Sequence, residues 1–284
     1  VGKTTSKDMM ALALQNFGKV HKAEKSFNNH IGLPLTLARA PVDSDYIVLE
    51  LGMSKKGEIS PLSILASPHI ALITNVSAAH LASFNAINEI AKEKSNICIG
   101  LRKPRICVLS RDSECYDGLL RNVKKHAESV ITYGETGAPN YQLSKTVSKN
   151  NITCARALIR GDKDFYFKIN SPGRHNALNA LGVIAVLGAL KLDITKGVLA
   201  LSNWVPTFGR GAFTNIKFKD YRMTGGFTLI DESYNANPKS MEAAINLLAN
   251  FELKTDKGEI KPRSRKIAIL GDMLELGEKE TLNH

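Results

Sequence analysis

The sequence predicts an α/β protein whose main sheet is mostly parallel. Three observations carry that prediction. Short β-rich runs that close on a polar or acidic residue alternate with longer helical patterns, as at 45–52, 70–75 and 106–109. The triplet Gly2-Lys3-Thr4 opens directly into a helix-forming stretch. From Tyr141 to Ile169 the helical patterns stop and short alternating stretches take over, which predicts antiparallel strands appended to the main sheet.

Taken in order, a first helix ends near Gly18, and Asn28-Asn29 with Gly32 favours a loop before a short apolar segment at Pro34. Asp45 to Gly52 is a buried parallel strand that delivers Glu50 to the edge where phosphates sit in such sheets. Ile70 to Asn75 is a second strand, placing Asn75 to His80 just past its C-terminal end. A helix from about Ala86 to Gly100, a strand at 106–109, a helix from Asp112 to about Glu128 and a strand at 130–133 follow. After the alternating stretches, Ser171 to Ala180 opens a long apolar helix on which Asn176 and Asn179 share a face of the first turn. A shorter helix at about 194–201 leads into Pro206 to Gly211, whose Pro and Gly content marks an interdomain hinge. Beyond it come a strand at 227–232, a helix from Ser240 to about Phe251 and a strand at 266–272. The expected division is a domain over 1–205 and the start of a second over 206–284.

At 284 residues, 43% hydrophobic and 23% charged, the chain has material for two globular cores and is not a disordered sequence. No apolar run approaches a membrane span and the start is neither a signal nor a transit peptide, so the expected compartment is the cytoplasm. Cys98, Cys107, Cys115 and Cys154 lack metal-ligand spacing, which predicts reduced thiols rather than zinc or disulfides. The net charge of +11 is scattered over helical stretches without interleaved aromatics; that argues against a nucleic-acid partner and suits a polyanionic small substrate. A monomer is the expectation.

The chemistry begins at Gly2-Lys3-Thr4-Thr5, the closing half of a phosphate-binding P-loop. There the backbone N–H groups and the helix N-terminus hold phosphate oxygens, the lysine reaches the β/γ-phosphates and the following hydroxyl ligates Mg²⁺. The loop's first glycine and the strand feeding it would lie before Val1, so the chain is expected to be part of a longer one. Alone, the triplet also reads as a helix start in a Lys-rich sequence. Glu50 alone reads as a helix N-cap partner, His80 as a structural histidine, and Asn176 with Asn179 as a turn satisfying backbone donors. Trp204 and the methionines read as core.

Together the ordered motifs 2–5, Asn28 to Pro34, Glu50-Leu51-Gly52, Asn75 to His80 and Gly173 to Asn179 resemble the Mur ligase family. Asn28 to Leu37, Ser233-Tyr234-Asn235-Ala236-Asn237-Pro238 and Leu270 to Gly277 look like its D-alanyl-D-alanine-adding branch. The resemblance implies a P-loop central domain and an incomplete Rossmann-like C-terminal domain. It also implies ATP- and Mg²⁺-dependent amide bond formation between UDP-N-acetylmuramoyl-tripeptide and D-alanyl-D-alanine, through an acyl phosphate. It assigns Gly2, Lys3, Thr4 and Thr5 to the phosphates, Thr4 and Glu50 to one Mg²⁺, and His80 with Lys94, at the position of a carbamylated lysine, to a second. Asn28 or Asn29 would face the phosphates, Asn176 and Asn179 the adenine, and Arg210 the γ-phosphate on domain closure. The family's ribose-binding aspartate falls on Glu232, with Asp231 one residue earlier. The rival readings are another muramyl or folylpolyglutamate-type ligase, and a P-loop module that binds nucleotide without catalysis.

Overall fold

The run Ile106-Cys107-Val108-Leu109 has no polar alternation, and a strand of that kind must be covered on both faces. The computed structural model describes residues 2–76, 84, 86–149, 151–219, 224–251 and 265–274. In it the elements run α1 (Lys3–Leu14), β1 (Val20–Lys22), α2 (Gly32–Ala38), β2 (Tyr46–Val48), α3 (Ile59–Ala66), β3 (Ile70–Ile73) and α4 (Ile87–Ser95) with a 3₁₀ turn (Asn96–Cys98). They continue with β4 (Ile106–Ser110), α5 (Tyr116–Val123), β5 (Ser129–Gly134), β6 (Tyr141–Lys149), β7 (Ile152–Ile159), β8 (Lys163–Ile169), α6 (Arg174–Ala189) and α7 (Ile194–Leu201). The last are β9 (Ala212–Lys219), β10 (Thr224–Asp231) and α8 (Pro238–Asn250).

Strands β3 to β8 form one sheet in sequence order, parallel from β3 to β6 and antiparallel from β6 to β8. This is the α/β fold with appended antiparallel strands that the sequence predicts. Side chains alternate across β4: Val108 joins a core with α1, α6 and α7, while Cys107 and Leu109 join a second core with α3, α4 and α5. All three are fully buried, so the sheet is the middle of three layers. Helix α6 is apolar nearly all round because it is packed between the sheet and α1; Leu181, Val183, Ile184 and Leu187 have no exposed surface.

The structure departs from the sequence reading at several elements. Gly32 lies in α2 rather than in a loop, because the Asn29 side chain accepts the N–H groups of Ile31 and Gly32 and starts the helix there. Helix α5 begins at Tyr116, not Asp112, since the Asp112 carboxylate is taken by the N–H groups of Glu135 and Thr136 beyond β5. Strand β2 pairs in parallel with β1 alone among the described strands, and Ile47 is half exposed, so it is not buried on both faces. Residues 266–272 form no strand: no described segment supplies a ladder partner, and Ile267, Ile269 and Leu270 are exposed. Strand β9, which the sequence reading did not predict, pairs antiparallel with β10.

Gly100 follows the 3₁₀ turn and donates its N–H to Ser63 Oγ on α3 at 3.0 Å. A Cβ there would overlap the Ser63 carbonyl oxygen, which is backbone and cannot rotate away. Gly100→Ala is expected to lower unfolding stability by about 1–3 kcal/mol in a urea titration; an unchanged midpoint would contradict this packing.

Candidate active site

Gly2 precedes α1 in a left-handed conformation with φ 80°, and a Cβ on it would lie 2.5 Å from Asn179 Oδ1. Only glycine meets both demands, so the close packing of the loop on α6 follows from its sequence. No side chain caps the N-terminus of α1. Its first N–H groups therefore point outward with the positive end of the helix dipole, an arrangement suited to an anion. Lys7, one turn on, is buried and ties the helix to the carbonyls of Ala23 and Lys25.

Beside that terminus lies Glu50, 4% exposed, just past β2. Its Oε2 accepts the Thr4 hydroxyl at 2.8 Å and its Oε1 accepts Asn28 Nδ2 at 2.8 Å. The loops carrying these residues interlock. Gly52 N donates to the Asn28 carbonyl at 2.7 Å, and a Cβ at Gly52 would strike the Asn28 side chain. Ser26 Oγ lies 3.1 Å from Thr4 Oγ1. Both Glu58 and His30 face the same cavity. The N–H groups of Ser54 and Lys55 hold the Glu58 carboxyl below its ordinary range.

Lys94 enters from α4, which is fixed by its neighbour Glu93. That buried carboxylate accepts the N–H of Ile59 at the start of α3 and the Asn96 side chain. Desolvation of the Lys94 amine, and then the Lys3 ammonium, push its pKa down to about 7. Lys92, two positions away, is exposed.

From the other side comes the turn at 206–211. Arg210 donates to Ser26 Oγ at 3.2 Å and stacks over the Tyr234 ring, 4.1 Å from its centroid. The Asp231 carboxylate braces the turn by accepting Gly209 N, Ser233 N and Ser233 Oγ, the Ser233 hydroxyl doing most to keep it below its ordinary range. Glu232 keeps part of its surface in solvent, yet desolvation of its carboxyl and then the Asp231 charge outweigh the pull of Arg210 and push it up to about 7. Helix α8 points its N-terminus at the same space, capped by Asn237 with Ser240 in a capping box.

One cavity of about 400 Å³ thus brings together Lys3, Thr4, Asn28, Asn29, Glu50, Lys94 and Arg210. Gly2 and Thr5 belong to the same helix start. Asn176 is elsewhere: it is buried and its amide donates to Ser171 Oγ and the Pro172 carbonyl, while Asn179 packs on Gly2. His80 lies outside the described residues. The sequence reading did not single out Ser26, His30, Met53, Ser54 or Glu58, nor give a site role to Tyr234, Asn237 or Ser240. Two signals were available: Ser26 sits two residues before the Asn pair, and Tyr234 and Asn237 lie within the quoted motif 233–238, with Ser240 two residues beyond it.

Among the described residues no three His, Cys, Asp or Glu side chains cluster as metal ligands. A buried carboxylate offset by two neutral donors, with a hydroxyl beside it, is nonetheless the hard oxygen set that suits Mg²⁺ completed by phosphate and water.

Residues 1–187 match the family model described as the Mur ligase middle domain. The chain is similar to the UDP-N-acetylmuramoyl-tripeptide--D-alanyl-D-alanine ligase of Bacillus subtilis, 35% identical, with all of this chain and 56% of the relative covered. The Escherichia coli protein of the same name is 32% identical, with 100% and 58% covered. Among solved structures, MurF ligase from Thermotoga maritima in complex with ADP superposes with a TM-score of 0.81 at 25% identity, covering 99% of this chain and 60% of that one. The chain spans a little over half the length of the curated relatives it matches.

The two lysines give a titration test. An unfolded lysine titrates at about 10.4, so the folded state loses the Lys94 proton first, and this contribution to stability grows as pH rises from about 7 toward that value. In nucleotide-free protein, Lys94 is expected to titrate near 7 by amine labelling or NMR. Lys3→Met should move that midpoint up, because it removes a repelling charge, while leaving it below a normal lysine. A midpoint unmoved by the substitution would contradict the proximity of the two ammonium groups.

Proposed function

This chain belongs to the Mur ligase family, and from that premise we propose that the protein is an ATP-dependent, ADP-forming amide ligase that adds D-alanyl-D-alanine to UDP-N-acetylmuramoyl-tripeptide. The names of the relatives support the substrates, and the ADP in the Thermotoga structure's title supports the nucleotide. The observation that carries the reading is the Thr4–Glu50 pair at the uncapped N-terminus of α1, facing Lys3, Lys94 and Arg210 across one cavity. This pairing suits a polyphosphate with its metal. The reading places the protein in the cytoplasm, in peptidoglycan precursor synthesis. Residues 1–205 are the ATP-binding domain and 206–284 the start of the C-terminal domain.

In this mechanism the tripeptide's terminal carboxylate attacks the γ-phosphorus of ATP and ADP leaves, giving an acyl phosphate. The D-alanyl-D-alanine amine then attacks the acyl carbon, phosphate leaves, and the amine loses a proton. The backbone N–H groups at Gly2 to Thr5 hold the β-phosphate, and the Lys3 ammonium offsets charge on the β- and γ-oxygens. Thr4 and Glu50 would hold one Mg²⁺, and His80 with Lys94 a second. Bound Mg²⁺ neutralises crowded phosphate oxygens that the protein's cations alone cannot. A Lys94 amine near neutrality can add CO₂ and release a proton to become an anionic carbamate, and the desolvation at this site favours that neutral form. Arg210 meets the γ-phosphate. With Asp231 committed to the hinge turn, Glu232 is the carboxylate assigned to the ribose. Asn28 and Asn29 shape the phosphate side of the cavity. Asn179, packed on Gly2, is the better placed of the two α6 asparagines to line the nucleotide.

The test, on the full-length protein, is ADP release dependent on both the tripeptide substrate and D-alanyl-D-alanine. Lys3→Ala, with folding checked by circular dichroism, should lower it about a thousandfold or more. Turnover within tenfold of the unaltered enzyme would remove the phosphate loop from the reaction.

A further inference from the structure

Four side chains form an ordered line from the 206–211 turn to the floor of the phosphate loop. Arg210 Nη2 lies 3.2 Å from Ser26 Oγ, Ser26 Oγ lies 3.1 Å from Thr4 Oγ1, and Thr4 Oγ1 lies 2.8 Å from Glu50 Oε2. Proton counting fixes the direction of every bond. A hydroxyl carries one proton, and Glu50 as a carboxylate only accepts, so Thr4 spends its proton on Glu50. Ser26 must then donate to Thr4, and the Ser26 oxygen is left to accept from the Arg210 guanidinium. The line runs from a cation to a buried carboxylate with all its dipoles aligned, so each bond polarises the next. Its ends are fixed independently, Glu50 by Asn28 and Arg210 by the Tyr234 ring.

Ser26 and Arg210 are 184 residues apart, so this contact joins the hinge turn to the loop behind the phosphate site. We infer that Ser26 is a positioning residue that couples Arg210 to Thr4, so that the arginine and the phosphate loop are set in register by one hydroxyl. Alanine at this position removes both bonds and leaves Arg210 its stacking on Tyr234 and its attraction to Glu232. Threonine keeps the hydroxyl and the relay. A serine that merely satisfied its own loop would act on the phosphate loop without reaching residues 206–211. The kinetic consequence rests on the ligase reading; the physical link does not.

The closing experiment therefore has two arms. Hydrogen exchange on the nucleotide-free protein compares Ser26→Ala, Ser26→Thr, Arg210→Ala and the Ser26/Arg210 double alanine variant. Ser26→Ala should speed exchange about fivefold both in 3–6, read at the Ser6 amide that is bonded to the Gly2 carbonyl, and in 206–211. The double variant should add nothing at 206–211 beyond Arg210→Ala, and Ser26→Thr should match the unaltered protein. Acceleration confined to 3–6, or additive effects at 206–211, would overturn the coupling. In the kinetic arm, Ser26→Ala should lower kcat about tenfold with the KM for ATP changed less than about twofold, and Ser26→Thr should restore it. An unchanged kcat in an active enzyme would overturn the positioning role. Absence of any substrate-dependent ADP release from the unaltered full-length protein would sink the ligase reading instead, and the exchange arm would then decide the coupling alone.

Discussion

Removing a carboxylate from water costs several kcal/mol unless opposite charge or well-placed donors compensate it. Glu50 is buried against two neutral donors, Thr4 and Asn28, with the phosphate-loop helix start beside it. Much of the site follows from that one constraint. The carboxylate must be delivered by a strand end, held by interlocked loops at Asn28 and Gly52, and approached by a helix terminus without a cap. A buried carboxylate with a hydroxyl and a helix N-terminus beside it is well suited to receive a hard cation and its phosphate oxygens, which is the link from packing to function.

The cations around Glu50 show the same logic. Desolvation, and then the Lys3 ammonium, make a charge on Lys94 costly and push its pKa down to about 7. Arg210 escapes this conflict by reaching in from the far side of the cavity, where Tyr234 and Ser26 hold it. Charges are thus distributed around a space shaped for a polyphosphate, each fixed by an element outside the cavity: Lys3 by α1, Lys94 by α4 through Glu93, and Arg210 by the turn that Asp231 braces.

Much of this was legible in the sequence because it lies where local patterns speak. The unbroken apolar run at 106–109 announces a doubly covered strand, and Lys3, Thr4 and Glu50 sit in a motif or at a strand end that can be read along the chain, whereas Lys94 and Arg210 are reached only through the family resemblance. What the sequence hid depends on distant partners. Asp112 looks like a helix start until the N–H groups of Glu135 and Thr136 claim it. The apolar alternation of 266–272 reads as a strand, but strand formation requires a neighbour, and no described segment provides one. Asn176 shares a helical face with Asn179, yet its amide turns back to Ser171, a contact that periodicity does not reveal. Ser26 lies two residues before the Asn pair, but its significance rests on a partner 184 residues away, which no local pattern reveals.

The central claim is that the buried Glu50 carboxylate is kept for a cation that accompanies a nucleotide phosphate. Calorimetric titration of ADP with and without Mg²⁺, on the unaltered protein and on Glu50→Gln, tests it most directly. Glutamine keeps the shape and an acceptor for Thr4 while removing the charge. The account predicts that Mg²⁺ tightens ADP binding to the unaltered protein and that Glu50→Gln loses about tenfold or more of that enhancement, with metal-free affinity little changed. An equal Mg²⁺ enhancement in the two proteins would contradict it.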